Sequence, residues 1–370
     1  MQSSKIIVGI THGDPNGIGY ETIYKVFSDS RMADMCTAVI YGNRGAAEFY
    51  KKRLKGCEKI NLNFIDSPEK ARAKRINFIS VGEAYTPRPG EVDPQAGVLA
   101  IEALSRATED AKAGLVHVLV TSPIDKRNTG EGFGFVGHTE YLAQQFGVEH
   151  PLMFMISDSV RVGLVTMHIA LDRVAQNITQ ESISSHLALM KRSLERDFVI
   201  RSPRIGVLGL NPHSGDQGLI GSQETTTVVP SIEDAQQLGI GAYGPFAADG
   251  YFGSGNYTHF DATLAMYHDQ GLAPFKALTF ESGVNFTAGL PVVRTSPAHG
   301  VGFDIAGRGL ACESSLRCAI YSALDIYRNR LFFDEISSNP LKSFSRSSGA
   351  RRERDNDANV EDLLAAHGVE

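Results

Sequence analysis

Tryptophan is absent from the 370 residues, and there are only four cysteines. Cys36, Cys57, Cys312 and Cys318 form no CxxC pair and are too sparse to staple a secreted domain. They read as reduced, structural thiols. Long apolar runs are also missing. Nothing approaches the roughly 20 residues that span a bilayer, and the run from Ile6 to Ile10 is too short for a signal segment and leads into a polar turn. A basic excess is lacking as well. A formal net charge of −6 provides no field to hold nucleic acid non-specifically, although a few cations can still converge on one anion. Internal repeats and long low-complexity linkers are not found. These absences predict a cytoplasmic protein with no membrane and no nucleic-acid partner.

What is present is the composition of an ordinary globular protein, 42% hydrophobic and 21% charged, with a length that suggests two domains. Strand-like and helix-like patterns alternate. Residues 5–10, 37–41, 60–65, 76–81 and 115–120 read as strands, as do 152–156, 160–167, 204–210 and 262–267. Helices are predicted over 20–27, 45–54 and 316–327. Another starts at Asp93-Pro94 with Val98, Ile101, Leu104 and Ala107 as its core stripe, and one carries Ile183, Leu187, Met190 and Leu194. The fold class is α/β with at least eight strands. Residues 337–370 turn polar and charge-rich, with one weak apolar patch (Val360, Leu363, Leu364), and read as a mobile or peripherally docked tail.

Chemistry is expected beyond the carboxyl ends of the strands, where open α/β sheets bind ligands. His168, His213 and His268 each follow an apolar strand-like run. Three imidazoles suit zinc or a similar divalent ion, but the wide spacing equally allows three hydrogen-bonded strand-end histidines. His138-Thr139 follows a loop containing Gly130, Gly132, Gly134 and Gly137 and begins a helix, which is either an anion site or a plain cap by Thr139. Lys276, Asn285 and Arg294 lie in a stretch dense in glycine and proline, and are either phosphate ligands or a solvated surface. The glycine-rich segments 12–21 and 295–309 match neither a Walker loop nor a GxGxxG fingerprint.

Several long motifs resemble those of the 4-hydroxythreonine-4-phosphate dehydrogenase family. They include GDPNGIGYE (13–21), GHTEYLA (137–143), TMHIAL (166–171), LNPHSGDQGLIGSQE (210–224), DATLAMYHDQGLAPFKAL (261–278) and GVNFTAGLPVVRTSPAHGVGFDIAGRG (283–309). The resemblance spans residues 5–335. It implies an isopropylmalate-dehydrogenase-like fold, not a Rossmann fold, with two α/β domains flanking a cleft. Residues 1–125 and 292–336 would form the nucleotide side, and 126–291 the metal, substrate and dimerisation domain. It further implies a homodimer whose active site lies at the subunit interface, with metal ligands drawn from both subunits.

Under this resemblance His168, His213 and His268 fall on the metal positions. His138, Thr139, Lys276, Asn285 and Arg294 fall on the substrate positions, and Gly300, Asp304, Ala306 and Gly307 line the nucleotide loop. The implied cofactors are NAD, with no residue excluding NADP, and one divalent ion, zinc first, with magnesium, manganese or cobalt compatible. The implied reaction oxidises a phosphorylated hydroxy acid and then decarboxylates it. Asp249 and Asp269 are candidates to orient metal-bound groups or take a proton, against plainer roles as a turn carboxylate and a salt bridge. Asn16, Tyr20 and the segment Thr121-Ser122-Pro123-Ile124-Asp125-Lys126 depart from the usual family pattern. Two other readings compete: a dehydrogenase of a four-carbon sugar-acid phosphate, and a silent ligand-binding protein on the same scaffold.

Overall fold

A computed structural model of the chain describes residues 5–129, 134 and 137–339. Gly130 and Gly132 of the glycine-rich loop, and the tail from residue 340, lie outside the described residues. The chain divides into two compact units. The first comprises Met1–Phe146, Glu281–Phe286 and Leu290–Tyr327; the second comprises Gly147–Phe280, Thr287–Gly289 and Arg328–Glu370. The helix His138–Phe146 therefore belongs with the first unit, beyond the expected border at residue 125.

In the first unit the strands are β1 (Ile7–Thr11), β2 (Thr37–Gly42), β3 (Leu62–Ile65), β4 (Ile76–Ser80) and β5 (Val118–Thr121). Their order is β3-β4-β2-β1-β5, all parallel. β2 and β5 are buried along their whole length, as continuous apolar runs in a parallel sheet should be. The helix Pro94–Lys112 begins where expected. Asp93 caps it by accepting from the Gln95 amide, and proline fills the first helical position. Its buried stripe, however, is Ala96, Leu99, Ala100, Ala103, Leu104 and Ala107, while Val98 is 52% exposed. Spacing of three residues drifts around a helix of 3.6 residues per turn, so the ladder from Val98 could not stay on one face.

The second unit holds β6 (Leu152–Ile156), β7 (Arg161–Leu164), β8 (Arg204–Leu208), β9 (Gly241–Phe246) and β10 (Ala262–Ala265), in the order β6-β7-β10-β8-β9. Only β6 runs antiparallel to its neighbour. Its long helix Gln180–Arg196 opens with a capping box between Thr179 and Ser182 and buries Ile183, Leu187, Met190 and Leu194, as the periodicity predicted. Two strands fall where the sequence suggested a loop: β11 (Val284–Ala288) and, antiparallel to it, β12 (Val293–Pro297), which also pairs parallel with β5. Ser314–Ser337 is one helix, ten residues longer than the expected 316–327 at its C-terminal end. Among the described residues no helix is long and apolar enough to cross a membrane, and all four cysteines are free.

Candidate functional site

Three neighbouring parallel strands of the second unit, β7, β10 and β8, lead to the three histidines. Side-chain crossbars tie these exits together. Thr166 donates from Oγ1 to the Met266 carbonyl at 2.8 Å, joining the His168 and His268 arms. Gln270 accepts from the Met266 amide at 2.7 Å and donates to the Gly209 carbonyl at 2.6 Å, joining the His268 arm to the segment before His213. The His168 and His268 rings are 5.9 Å apart, tilted by 42°. Both line a cavity of about 460 Å³ with Met167, Leu171, Val174 and Tyr267. Two imidazoles on one tetrahedral ion have ring centres roughly 5 Å apart, given metal–nitrogen bonds of about 2 Å. The observed 5.9 Å is wider than that spacing by about 1 Å.

His213 is not gathered into a cluster with that pair. Among the described residues no group of three or more His, Cys, Asp or Glu side chains is disposed to hold a metal. The backbone at His213 is unusual. His213, Ser214, Gly215, Asp216 and Gln217 all have left-handed φ, from 43° to 79°. Each non-glycine residue there costs about 1–2 kcal/mol, so the turn persists only because its surroundings over-determine it.

Asp269 accepts from, or shares a proton with, His268 Nδ1 at 2.7 Å. That bond favours the tautomer with Nδ1 protonated and leaves Nε2 free as a ligand atom. Asp249 is exposed in the first turn of the helix Ala248–Gly253. Lys276 is exposed on the helix His268–Thr279 of the same unit.

The first unit contains a buried polar pocket. Arg294 sits in the middle of β12, only 2% exposed, and both Nε and Nη2 donate to Thr121 Oγ1, at 3.1 and 2.7 Å. Burial lowers its pKa to about 10, opposed by the charge of Glu140. His138, in the first turn of its helix, is held well below the usual imidazole range, first by burial and then by the Arg294 charge. A neutral ring results. The helix starts at His138, which puts Thr139 inside the first turn rather than at the cap. Asn285, on β11, lies opposite Ser296 of β12. His138 Nε2 and Asn285 Oδ1 are buried with no hydrogen-bond partner, as are Thr11 Oγ1 and Ser122 Oγ at the ends of β1 and β5. Buried polar atoms are rarely left unsatisfied, so each of these atoms calls for a polar partner or water. The reading of Arg294 as a solvated surface residue is overturned.

The glycine-rich segment after β12 folds onto the first glycine-rich turn. The Ile18 amide donates to the Val301 carbonyl at 3.0 Å. The buried carboxylate of Glu21 accepts from the amides of Ala311 at 2.7 Å and Gly309 at 3.2 Å. Ala306 packs against Ile18 and Ala311. Gly307, at φ 68°, accepts from Arg53 Nε at 3.0 Å and leaves a side chain a tight fit, because a Cβ would stand 3.0 Å from Arg53 Nε and 3.1 Å from Pro89. Gly300 and Asp304 face solvent, with nothing near Gly300's missing Cβ. Glu21, Glu224 and Gln270 were not singled out from the sequence, although each stands in a motif that carries the resemblance; Thr121 entered only within the segment that departs from it.

The sequence profile described as pyridoxal phosphate biosynthetic protein PdxA matches residues 34–323. A 4-hydroxythreonine-4-phosphate dehydrogenase of Bacteroides thetaiotaomicron is 48% identical, over 92% of this chain and 94% of that protein. One from Prosthecochloris aestuarii is 42% identical, over 87% and 97%. The crystal structure of 4-hydroxythreonine-4-phosphate dehydrogenase from Klebsiella pneumoniae superposes with a TM-score of 0.75 at 33% identity, covering 88% of this chain and 99% of that one. The buried cation, the strand-end histidines and this similarity along nearly the whole length agree: the chain belongs to the PdxA family of pyridoxal phosphate biosynthetic proteins.

Proposed function

We propose that the protein is a metal-assisted, NAD-dependent dehydrogenase that oxidises 4-phosphohydroxy-L-threonine to 2-amino-3-oxo-4-phosphooxybutanoate. Loss of carbon dioxide then leaves 3-amino-2-oxopropyl phosphate, for pyridoxal phosphate synthesis. The observation that carries the substrate class is the buried Arg294 guanidinium, fixed by Thr121 beside the unpartnered His138 and Asn285. A desolvated, pre-oriented guanidinium favours a phosphate that it can grip with two parallel bonds.

NAD would remove hydride from the secondary alcohol, and a divalent ion held by His168, His268 and His213 would stabilise the negative charge that develops on the substrate oxygen in both steps. The chain's own residues do the positioning. Arg294, with Asn285, Thr139 and the neutral His138 ring, holds the phosphate end; Lys276 adds a second cation. These contacts are remote from the reacting carbon, so their binding energy can be spent on orientation. Asp269 fixes the His268 ring, and Asp249 is the second carboxylate for proton transfer. Gly300 and Asp304 present backbone to the adenosine, with Ala306 and Gly307 as its support. We place the enzyme in the cytoplasm, where its four free thiols stay reduced, and infer a homodimer with metal ligands drawn from both copies.

One observation favours a second reading. Relatives from Clostridium botulinum at 34% identity are named for D-threonate 4-phosphate, which carries a hydroxyl in place of the amine. NADH formation from the two phosphates side by side decides between them. Turnover of 4-phosphohydroxy-L-threonine with little from D-threonate 4-phosphate supports the first reading, and the reverse overturns it.

A further inference from the structure

The left-handed run at His213 contains a single glycine, Gly215. L-residues visit this conformation one at a time rather than in series, so a partner outside the turn has to hold it. That partner lies directly beneath. Glu224 is 3% exposed. Its carboxylate takes both amide donors of Asn211, the backbone N–H on Oε1 at 2.7 Å and Nδ2 on Oε2 at 2.9 Å. Gly215 rests on the same group: a methyl built there would stand 2.5 Å from Oε2. A methyl on Gly209 would meet Oε1 at 3.2 Å and Ser214 Oγ at 2.6 Å. Further ties run from Ser214 Oγ to the Pro245 carbonyl at 3.2 Å, from the Ser214 amide to the Asn211 carbonyl at 3.1 Å, from the Ile220 amide to the Gly215 carbonyl at 3.0 Å and from Asn211 Nδ2 to Gln223 Oε1 at 2.9 Å. The chain from Gly209 to Gly215 is thus wrapped around one buried carboxyl group.

We propose that Glu224 is the positioning residue for His213: its carboxylate holds the left-handed turn and so sets the direction in which the imidazole is presented. The proposal rests on the reading of His213 as a metal donor. The charge matters because both oxygens must accept. An amide in this place would set its own N–H₂ against one of the two Asn211 donors. Outer-shell groups of this kind fix the orientation of a metal-binding histidine.

The test uses the full-length protein, stripped of metal, with cobalt(II) as the probe. Amide hydrogen exchange over residues 211–221 and cobalt affinity are compared for the wild type, Glu224→Gln, Asn211→Ala and His213→Ala. Glu224→Gln is expected to speed exchange in that segment on the order of tenfold or more, with β7, β8 and β10 still protected. Cobalt affinity should fall roughly 10–100-fold in the same variant. Asn211→Ala deletes one of the two bonds to Glu224, together with the Nδ2 bond to Gln223, and leaves the carboxylate in place; it should change both readouts in the same direction, and it carries the test should Glu224→Gln not fold. His213→Ala should lose cobalt affinity without faster exchange. Unchanged exchange in a folded Glu224→Gln protein overturns the proposal. So does faster exchange with full cobalt affinity when His213→Ala has lost it. Full affinity in His213→Ala sinks the metal reading of His213 instead, and with it the claim that Glu224 aims a ligand.

Discussion

Replacing Arg294 with alanine separates its role in binding from any role in folding. The side chain is 2% exposed, and its Nε and Nη2 both donate to a neutral hydroxyl, Thr121 Oγ1. Its depressed pKa, about 10, says that burial costs the charge more than its surroundings return. Removing such a cation relieves that cost, and the cavity left behind offsets the relief. The unliganded protein should therefore change little in stability, within roughly 1–2 kcal/mol either way. Substrate binding is different. Two charge-assisted bonds to a phosphate, each worth about 1.5–3 kcal/mol, amount to roughly 3–6 kcal/mol, or a fall of about 10²–10⁴ in kcat/KM. The assay is steady-state NADH formation with 4-phosphohydroxy-L-threonine, alongside the KM for NAD and a thermal melt. The expected pattern is a large loss in kcat/KM for the phosphorylated substrate with the KM for NAD and the melting temperature nearly unchanged. An equal loss for both substrates, or a collapse of the melt, would show that Arg294 supports the fold and not the phosphate.

The remaining predictions concern the first unit. His12 is fully buried, stacked on Tyr20 at 5.2 Å, and neither ring nitrogen reaches a hydrogen-bond partner. Burial drives its pKa down to about 3, with the facing Leu99 carbonyl opposing weakly. Because the folded value lies below the unfolded 6.5, stability is full above that pH and is lost as pH falls toward 3. His12→Met should flatten this dependence, removing roughly 2 kcal/mol of the loss between pH 6.5 and 4.5 in urea titrations; an identical pH profile in the variant would refute the burial argument. Gly307→Ala should destabilise by about 1–3 kcal/mol, since alanine is strained at positive φ and its Cβ would press on Arg53 and Pro89. An unchanged urea midpoint would mean that the loop is not pinned there.

Much of this architecture was legible because buried parallel strands write themselves as apolar runs. β1, β2, β5, β6, β8 and β10 were all foreseen in this way, and with them the strand-end placement of His168, His213 and His268. The failures have physical causes. Arg294 sits in mid-strand, and Gly289 and Pro291 flank β12, so charge and turn residues hid β11 and β12. β9 lies at an edge and contains Gly244 and Pro245. Gly271 and Pro274 disguised the helix His268–Thr279. The left-handed turn was invisible for a deeper reason. Gly215, Gly218 and Gly221 hint at a turn, but nothing in His213, Ser214, Asp216 or Gln217 announces positive φ. The turn's contacts with Glu224, Gln223 and Pro245 are long-range or depend on the fold, and no local pattern encodes them.

The most direct test of the central claim is NADH formation by the purified protein, stripped of metal by a chelator and given 4-phosphohydroxy-L-threonine and NAD, before and after a divalent ion is added. Turnover that appears only with the ion, and that fails in His168→Ala and His268→Ala, is the predicted result. Full turnover without metal, or none with any divalent ion in a folded protein, would contradict it.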